Sequence, residues 1–172
     1  MRSRPTALFV TDGATVSPTD LSRGPWDPTA CHGGPIGALL VRFIEAAPDG
    51  GTDWQLARVT VELTRPVPLE PLRIDTEVVR PGRKVALVEA RLVRASDGVE
   101  VARARALRIR RVALPLPEHP AVAPEGSFGE AGRGAKLPSP FVAEQVAFHS
   151  DACELRFASS RRSVSRPPVW SE

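Results

Sequence analysis

Hydrophobic and polar positions along the chain follow two periods, and each period names an element. From Pro35 on, Ile36, Leu39, Leu40, Phe43, Ile44 and Ala47 recur every three to four residues, the spacing that places side chains on one face of an α-helix. This predicts an amphipathic helix from Pro35 to about Ala47. Pro35 suits a first helical turn, where a missing N–H costs nothing, and Pro48-Asp49-Gly50-Gly51 stops the helix. Downstream, residues 55–65, 72–80, 84–95 and 99–111 alternate with period two, as strands buried on one face do. Ala57, Val59, Val61 and Leu63 share a face opposite Arg58, Thr60, Glu62 and Thr64. The last strand carries Ala102, Ala104 and Ala106 in a row, small enough to admit a helix closely, with Arg103 and Arg105 facing away. The links PVPLEP, PGR and SDG are short, which predicts antiparallel neighbours.

The flanks complete the outline. Residues 6–17 hold two β-prone runs around Asp12-Gly13, a pair suited to a tight hairpin turn. LSRGPWDPTACHGG follows as a Gly- and Pro-rich loop. A hairpin, one long helix and an antiparallel sheet to wrap it make an α+β domain. Residues 112–140 are dense in Pro and Gly without periodicity, the composition of a linker. FVAEQVAFHSDACELRFASS then reads as one more strand, and the last residues have no clear pattern.

Composition narrows the class. Apolar residues make up 42% and charged residues 25% of the 172, as in a globular protein. No apolar run reaches the length of a bilayer span, and the N-terminus lacks the apolar stretch of a secretory signal, so a cytoplasmic location is expected. The net charge of +3 comes from interspersed signs, which argues against a nucleic-acid footprint. Cys31 and Cys153 stand far apart and suggest neither a disulfide framework nor a zinc site. There is no GxSxG elbow, phosphate-binding glycine loop or dinucleotide fingerprint. No metal or redox cofactor is implied.

Three segments carry a resemblance: GPWDPTACHGGPIGALLVRFIE at 24–45, ARVTVELTRPVPLEPLRIDTEVVRPGRKVALVEARL at 57–92 and FHSDACELRF at 148–157. In combination they resemble the acyl-CoA thioesterase-like family of double-hotdog proteins, related to type II acyl-CoA thioesterases. The resemblance implies a hotdog fold, an antiparallel β-sheet wrapped around one long α-helix, over residues 1–113. It makes 114–140 a linker and 141–172 the truncated start of a second hotdog. It also implies hydrolysis or binding of an acyl-CoA thioester. In type II relatives the catalytic carboxylate and its polar partners lie in the second half. A non-catalytic hotdog half, serving as scaffold or acyl-binding module, is therefore the alternative. An acyl-CoA ligand and a homo-oligomer are the expected partners, because a lone hotdog leaves a sheet edge unpaired.

Thioester chemistry requires N–H groups that polarise the carbonyl, best placed at a helix N-terminus. His32, Gly33 and Gly34 are the candidate catalytic residues, with Trp26, Pro35, Arg80 and Arg83 as candidates for substrate binding. Gly33 or Gly34 presents a free N–H, or the glycines only make the turn into the helix. His32 serves as a base, or simply bonds a nearby carbonyl. Trp26 and Pro25 equally suit packing. Arg80, Arg83 and Lys84 meet coenzyme A phosphates or are merely solvated. Single-hotdog thioesterases with an HGG loop place a carboxylate on the helix about nine residues after the histidine; here that position is Val41, and Glu45, a turn further, is expected to be solvated. Weak or absent turnover follows from that gap. His149, Asp151 and Cys153 would share a strand face at about 6.6 Å intervals, too far apart for a nucleophile set.

Overall fold

The protein is described here from a computed structural model covering residues 5–48, 53–113, 115 and 145–154. Its strands are β1 (Phe9–Asp12), β2 (Thr15–Pro18), β3 (Trp54–Leu63), β4 (Leu72–Arg80), β5 (Val85–Arg94) and β6 (Glu100–Arg110), and its helix is α1 (Gly33–Glu45). They form one six-stranded sheet in the order β1-β2-β4-β5-β6-β3, antiparallel at every pairing. The hairpin β1–β2 turns at Gly13, whose φ of 57 lies in the left-handed region that glycine enters without a Cβ penalty. This is the α+β hotdog arrangement, one long helix against one face of an antiparallel sheet.

The two periodicities meet in the core. α1 buries Ile36, Leu39, Leu40 and Ile44 against Val88, Ala90, Leu92 and the row Ala102, Ala104 and Ala106. All three alanines are fully buried, so the helix seats on β6 where larger residues would hold it off. Each large apolar side chain so buried contributes about 1.5–3 kcal/mol. The other face of the sheet is charged and wet: Arg105 pairs with Glu89 at 2.6 Å and Arg103 with Glu100 at 2.7 Å.

Four expectations need correction. The helix starts at Gly33 rather than Pro35, because the His32 side chain caps it. In β3 a bulge between Leu56 and Arg58 takes Ala57 out of the inner row; Leu56 packs on the core instead. The short link after β3 does not join neighbours, since β3 pairs with β6 alone and β4 lies across the sheet. The Cys31 N–H donates to Val67 O and the Leu69 N–H to Thr29 O. These bonds strap the link to the loop ahead of α1 and carry the chain past the helix start to the far strands. Finally, within 145–154 the chain forms a π-helical turn, Phe148–Ala152, where a strand was expected. Asp151 Oδ2 accepts from the Ala147 N–H at 3.0 Å and from the Ser150 hydroxyl at 2.7 Å, local bonds that outcompete an extended backbone. The linker expected at 114–140 falls almost wholly outside the described residues.

Candidate active site at the start of α1

The loop from Leu21 to Cys31 delivers the helix start. The His32 N–H donates to Ser22 O at 2.7 Å, which fixes the extended residue (φ −69, ψ 141) that precedes the first turn. The His32 Nδ1 then accepts the Gly34 N–H at 3.0 Å, the usual N-cap arrangement made here by an imidazole. Pro35, buried, has no N–H to offer. Among the described residues the Gly33 N–H meets no acceptor, so one donor remains at the positive end of the helix dipole.

Neither glycine has a positive φ, so the turn itself does not demand glycine. Close approach does. A Cβ on Gly33 would stand 3.0 Å from Leu63 Cδ1, and one on Gly34 would stand 3.2 Å from His32 Nδ1 and 3.5 Å from Phe148 Cε1. Leu63, 53% exposed, and Val61, 38% exposed, extend an apolar strip along the end of β3 beside the Gly33 N–H.

The titratable groups around it are mostly held neutral. Burial, and then the neighbouring His149, lower the His32 pKa from its ordinary 6.5. With Nδ1 occupied as an acceptor, the ring proton is assigned to Nε2, so the neutral imidazole keeps one N–H donor. Burial pushes the Cys31 thiol up to about 12 against the pull of Arg23, so it stays protonated and is no nucleophile. Val41 is half-buried on α1, and Glu45 is exposed.

The remaining sequence candidates lie elsewhere. Trp26 stands 81% exposed at the tip of a loop closed by the Gly24 N–H to Ala30 O bond, so it does not pack as a buried anchor. Arg80 and Arg83 flank the exposed turn between β4 and β5, at the opposite end of the sheet from His32. Arg83 lines a cleft of about 640 Å³ with Trp54, Arg108 and Arg110. Trp54 and Leu63 bound β3, and at about 3.3 Å per residue those two ends are roughly 30 Å apart. His32, Gly33, Gly34 and Pro35 are thus brought together, and the arginines are not.

Two further residues stand at this site that no sequence pattern assigned to it. The Phe148 ring stands 5.0 Å from that of His32, and the His149 ring 6.5 Å from it. Only the fold brings this remote turn back; no local pattern announces it. Among the described residues no group of His, Cys, Asp or Glu could hold a metal ion, and no helix is long and apolar enough to cross a membrane.

Solved structures share the fold. A hypothetical thioesterase from Streptococcus pneumoniae TIGR4, solved with coenzyme A, is 18% identical with a TM-score of 0.51, over 56% of this chain and 75% of that one. The E. coli PaaI protein from the phenylacetic acid degradation operon is 21% identical with a TM-score of 0.50, over 57% and 70%. A Streptococcus mutans UA159 protein bound to acetyl CoA is 20% identical with a TM-score of 0.50, over 64% and 93%. No curated protein sequence matches this one. A model of the acyl-CoA thioesterase N-terminal domain matches residues 22–109, a little over half of the chain and the whole span from the loop before α1 nearly to the end of β6. The chain belongs to the acyl-CoA thioesterase N-terminal domain family.

Proposed function

We propose that the chain binds an acyl-CoA thioester at the start of α1, with the carbonyl oxygen on the Gly33 N–H, and hydrolyses it. The observation that carries this reading is the Gly33 N–H itself: a donor at a helix N-terminus, beside the apolar Val61–Leu63 strip, in a family defined by acyl-CoA thioesterases. Such a donor opposes little charge in the bound ester and much more in the tetrahedral oxyanion, so it favours the transition state over the ground state. Relatives of the same fold solved with coenzyme A and acetyl CoA support the ligand class.

The reading extends to a pair of chains. β3 is a sheet edge of 10 residues, and open edges invite another strand. Two copies joined antiparallel along β3 would set the Trp54 end of one beside the Leu63 end of the other. The arginine-lined cleft of one copy would then stand near the helix start of its partner, where one ligand's phosphates and thioester need two separate footholds.

One observation favours a second reading, an acyl-binding half without turnover: Val41 occupies the helix position where HGG-loop relatives place a carboxylate. Thiol release from acyl-CoAs of several chain lengths, run beside calorimetric titration with coenzyme A, separates the two. Binding with slow turnover is expected, since Val41 leaves the helix without a carboxylate; binding alone selects the second reading, and the absence of both rejects the site.

A further inference from the structure

A turn from a remote part of the chain is docked on the start of α1. Arg23 Nη1 donates to Val146 O at 2.7 Å across a separation of 123 residues, and the Phe148 N–H donates to Arg23 O at 3.0 Å. The same guanidinium bonds Pro28 O through Nε and Asp20 through Nη2, so the side chain that holds the turn is itself held. Ala147 is fully buried, and Asp151 closes the turn by accepting from the Ala147 N–H. Phe148 then lies against the His32 ring, with 5.0 Å between the ring centres, and beside Gly34. Residues 146–152 therefore form a strap whose seat on the helix start is the His32 imidazole.

That seat depends on charge. Neutral His32 keeps Nδ1 as the acceptor of the Gly34 N–H at 3.0 Å, and this bond fixes the ring on which Phe148 rests. A proton on Nδ1 sets a donor against a donor and places a cation at the positive end of the helix dipole. No acidic side chain stands in the first turn of α1 to offset it. His149 of the strap, 6.5 Å away, opposes a charge on His32. Asp151 is bonded within the strap, Asp20 pairs with Arg23, and burial keeps the Cys31 thiol neutral. From β3, Leu63 reaches the site while Glu62 pairs with Arg103 on the outer face. The nearby carboxylates are thus committed elsewhere, and an imidazolium here gains no counter-ion from them.

We propose that residues 146–152 are an acid-released strap, docked on the helix start while His32 is neutral and released when His32 takes a proton, which uncovers the Gly34 side of the site. As regulation of that site the inference rests on the acyl-thioester reading; the strap itself does not. Because docking disfavours the protonated ring, the undocked chain binds more protons, and acid favours it. Docking is therefore complete above the ordinary histidine value of 6.5 and is lost as pH falls below it. Imidazole is the side chain that ordinarily changes charge between about pH 5 and 8, so a modest acidification is enough to work the strap.

The test is amide hydrogen exchange of the full chain through the histidine titration range, read at the Phe148 N–H, whose acceptor is Arg23 O. Wild type and His32→Asn are compared at equal pH, which removes the intrinsic pH dependence of exchange. Wild-type protection is expected to be lost on the acid side, while H32N, with a capping acceptor that does not titrate, stays protected. Protection in the wild type that follows that of H32N through the range overturns the proposal. Should H32N be unprotected at every pH, the wild-type profile decides, referred to the amide of fully buried Leu40 in α1: a ratio of the two unchanged by acid overturns it. Calorimetric titration with coenzyme A at the same pH values separates the strap from the site. Affinity in the wild type relative to H32N should rise on the acid side. A ratio that stays constant while the strap is released overturns the regulatory role, and a chain that never binds coenzyme A defeats the site reading and leaves the strap standing.

Discussion

The two ends of the sheet differ in what they present on the same helix-covered face. At the helix start the surface is small and apolar, made of glycine backbone, Leu63, Val61 and Phe148, with a histidine kept neutral. At the helix end Arg108, only 2% exposed, donates to Pro48 O at 3.3 Å and lies 5.5 Å from the centre of the Trp54 ring, with Arg110 at 5.8 Å. One end offers a backbone donor in an apolar setting, where developing charge is stabilised most. The other concentrates fixed cationic charge beside the negative end of the helix dipole. A carbonyl suits the first and phosphates the second. That a ligand could need both explains why a single copy, with the two ends roughly 30 Å apart, is half of a proposed arrangement.

The contrast can be broken end by end. The largest effect is expected at the helix end, where Arg108→Ala should cost about 2–4 kcal/mol in denaturant unfolding, through a cavity and the loss of a cation at the helix C-terminus. Coenzyme A binding should weaken with it in the folded fraction, because Arg108 lines the cleft proposed for the phosphates; a loss under about 0.5 kcal/mol, the ordinary range of surface changes, would show that Arg108 does no structural work. Association along β3 comes next. Sedimentation at micromolar concentration should give a dimer, and a monomer across that range would remove the argument for joining the two ends.

Smaller effects belong to the helix start. Because the folded protein disfavours protonated His32, the unfolded chain binds more protons as pH falls through its ordinary value of 6.5. Stability is therefore full above that value and declines below it. Protonation of Nδ1 also removes the acceptor for the Gly34 N–H. His32→Asn, which keeps a capping acceptor that does not titrate, should flatten this part of the stability profile; an unchanged slope would assign it elsewhere. The smallest expected difference is chemical. Iodoacetamide at neutral pH should label exposed Cys153 and spare half-buried Cys31, whose thiol desolvation pushes up to about 12; mass spectrometry that finds Cys31 labelled first would contradict the desolvation on which the neutral setting depends.

Much of this frame was legible in the sequence because burial imposes periods. α1 and the alanine row of β6 could be paired from their periodicities alone, since one helix and one sheet must cover each other's apolar faces. Connection length was a poor guide to adjacency: the short link after β3 crosses the helix start because Cys31 and Leu69 bond it there, which no local pattern encodes. The bulge at Ala57 likewise hid which of Leu56 and Ala57 faces inward. At the site, His32, Gly33, Gly34 and Pro35 were readable as a helix start. Why glycine stands there was not, since the reason is the approach of Leu63 and Phe148 from remote parts of the chain.

The central claim is that the Gly33 N–H holds the oxyanion, and Gly33→Pro tests it most directly. Gly33 is the first helical residue, where proline is well tolerated, and His32 already has the extended backbone that a following proline requires. The substitution therefore deletes one N–H and keeps the helix, while Gly33→Ala supplies the Cβ near Leu63 and keeps the donor. With acetyl-CoA and thiol release as the readout, G33P should fall about 10²–10³-fold in kcat relative to G33A, with both variants folded. Equal rates in the two would contradict the account.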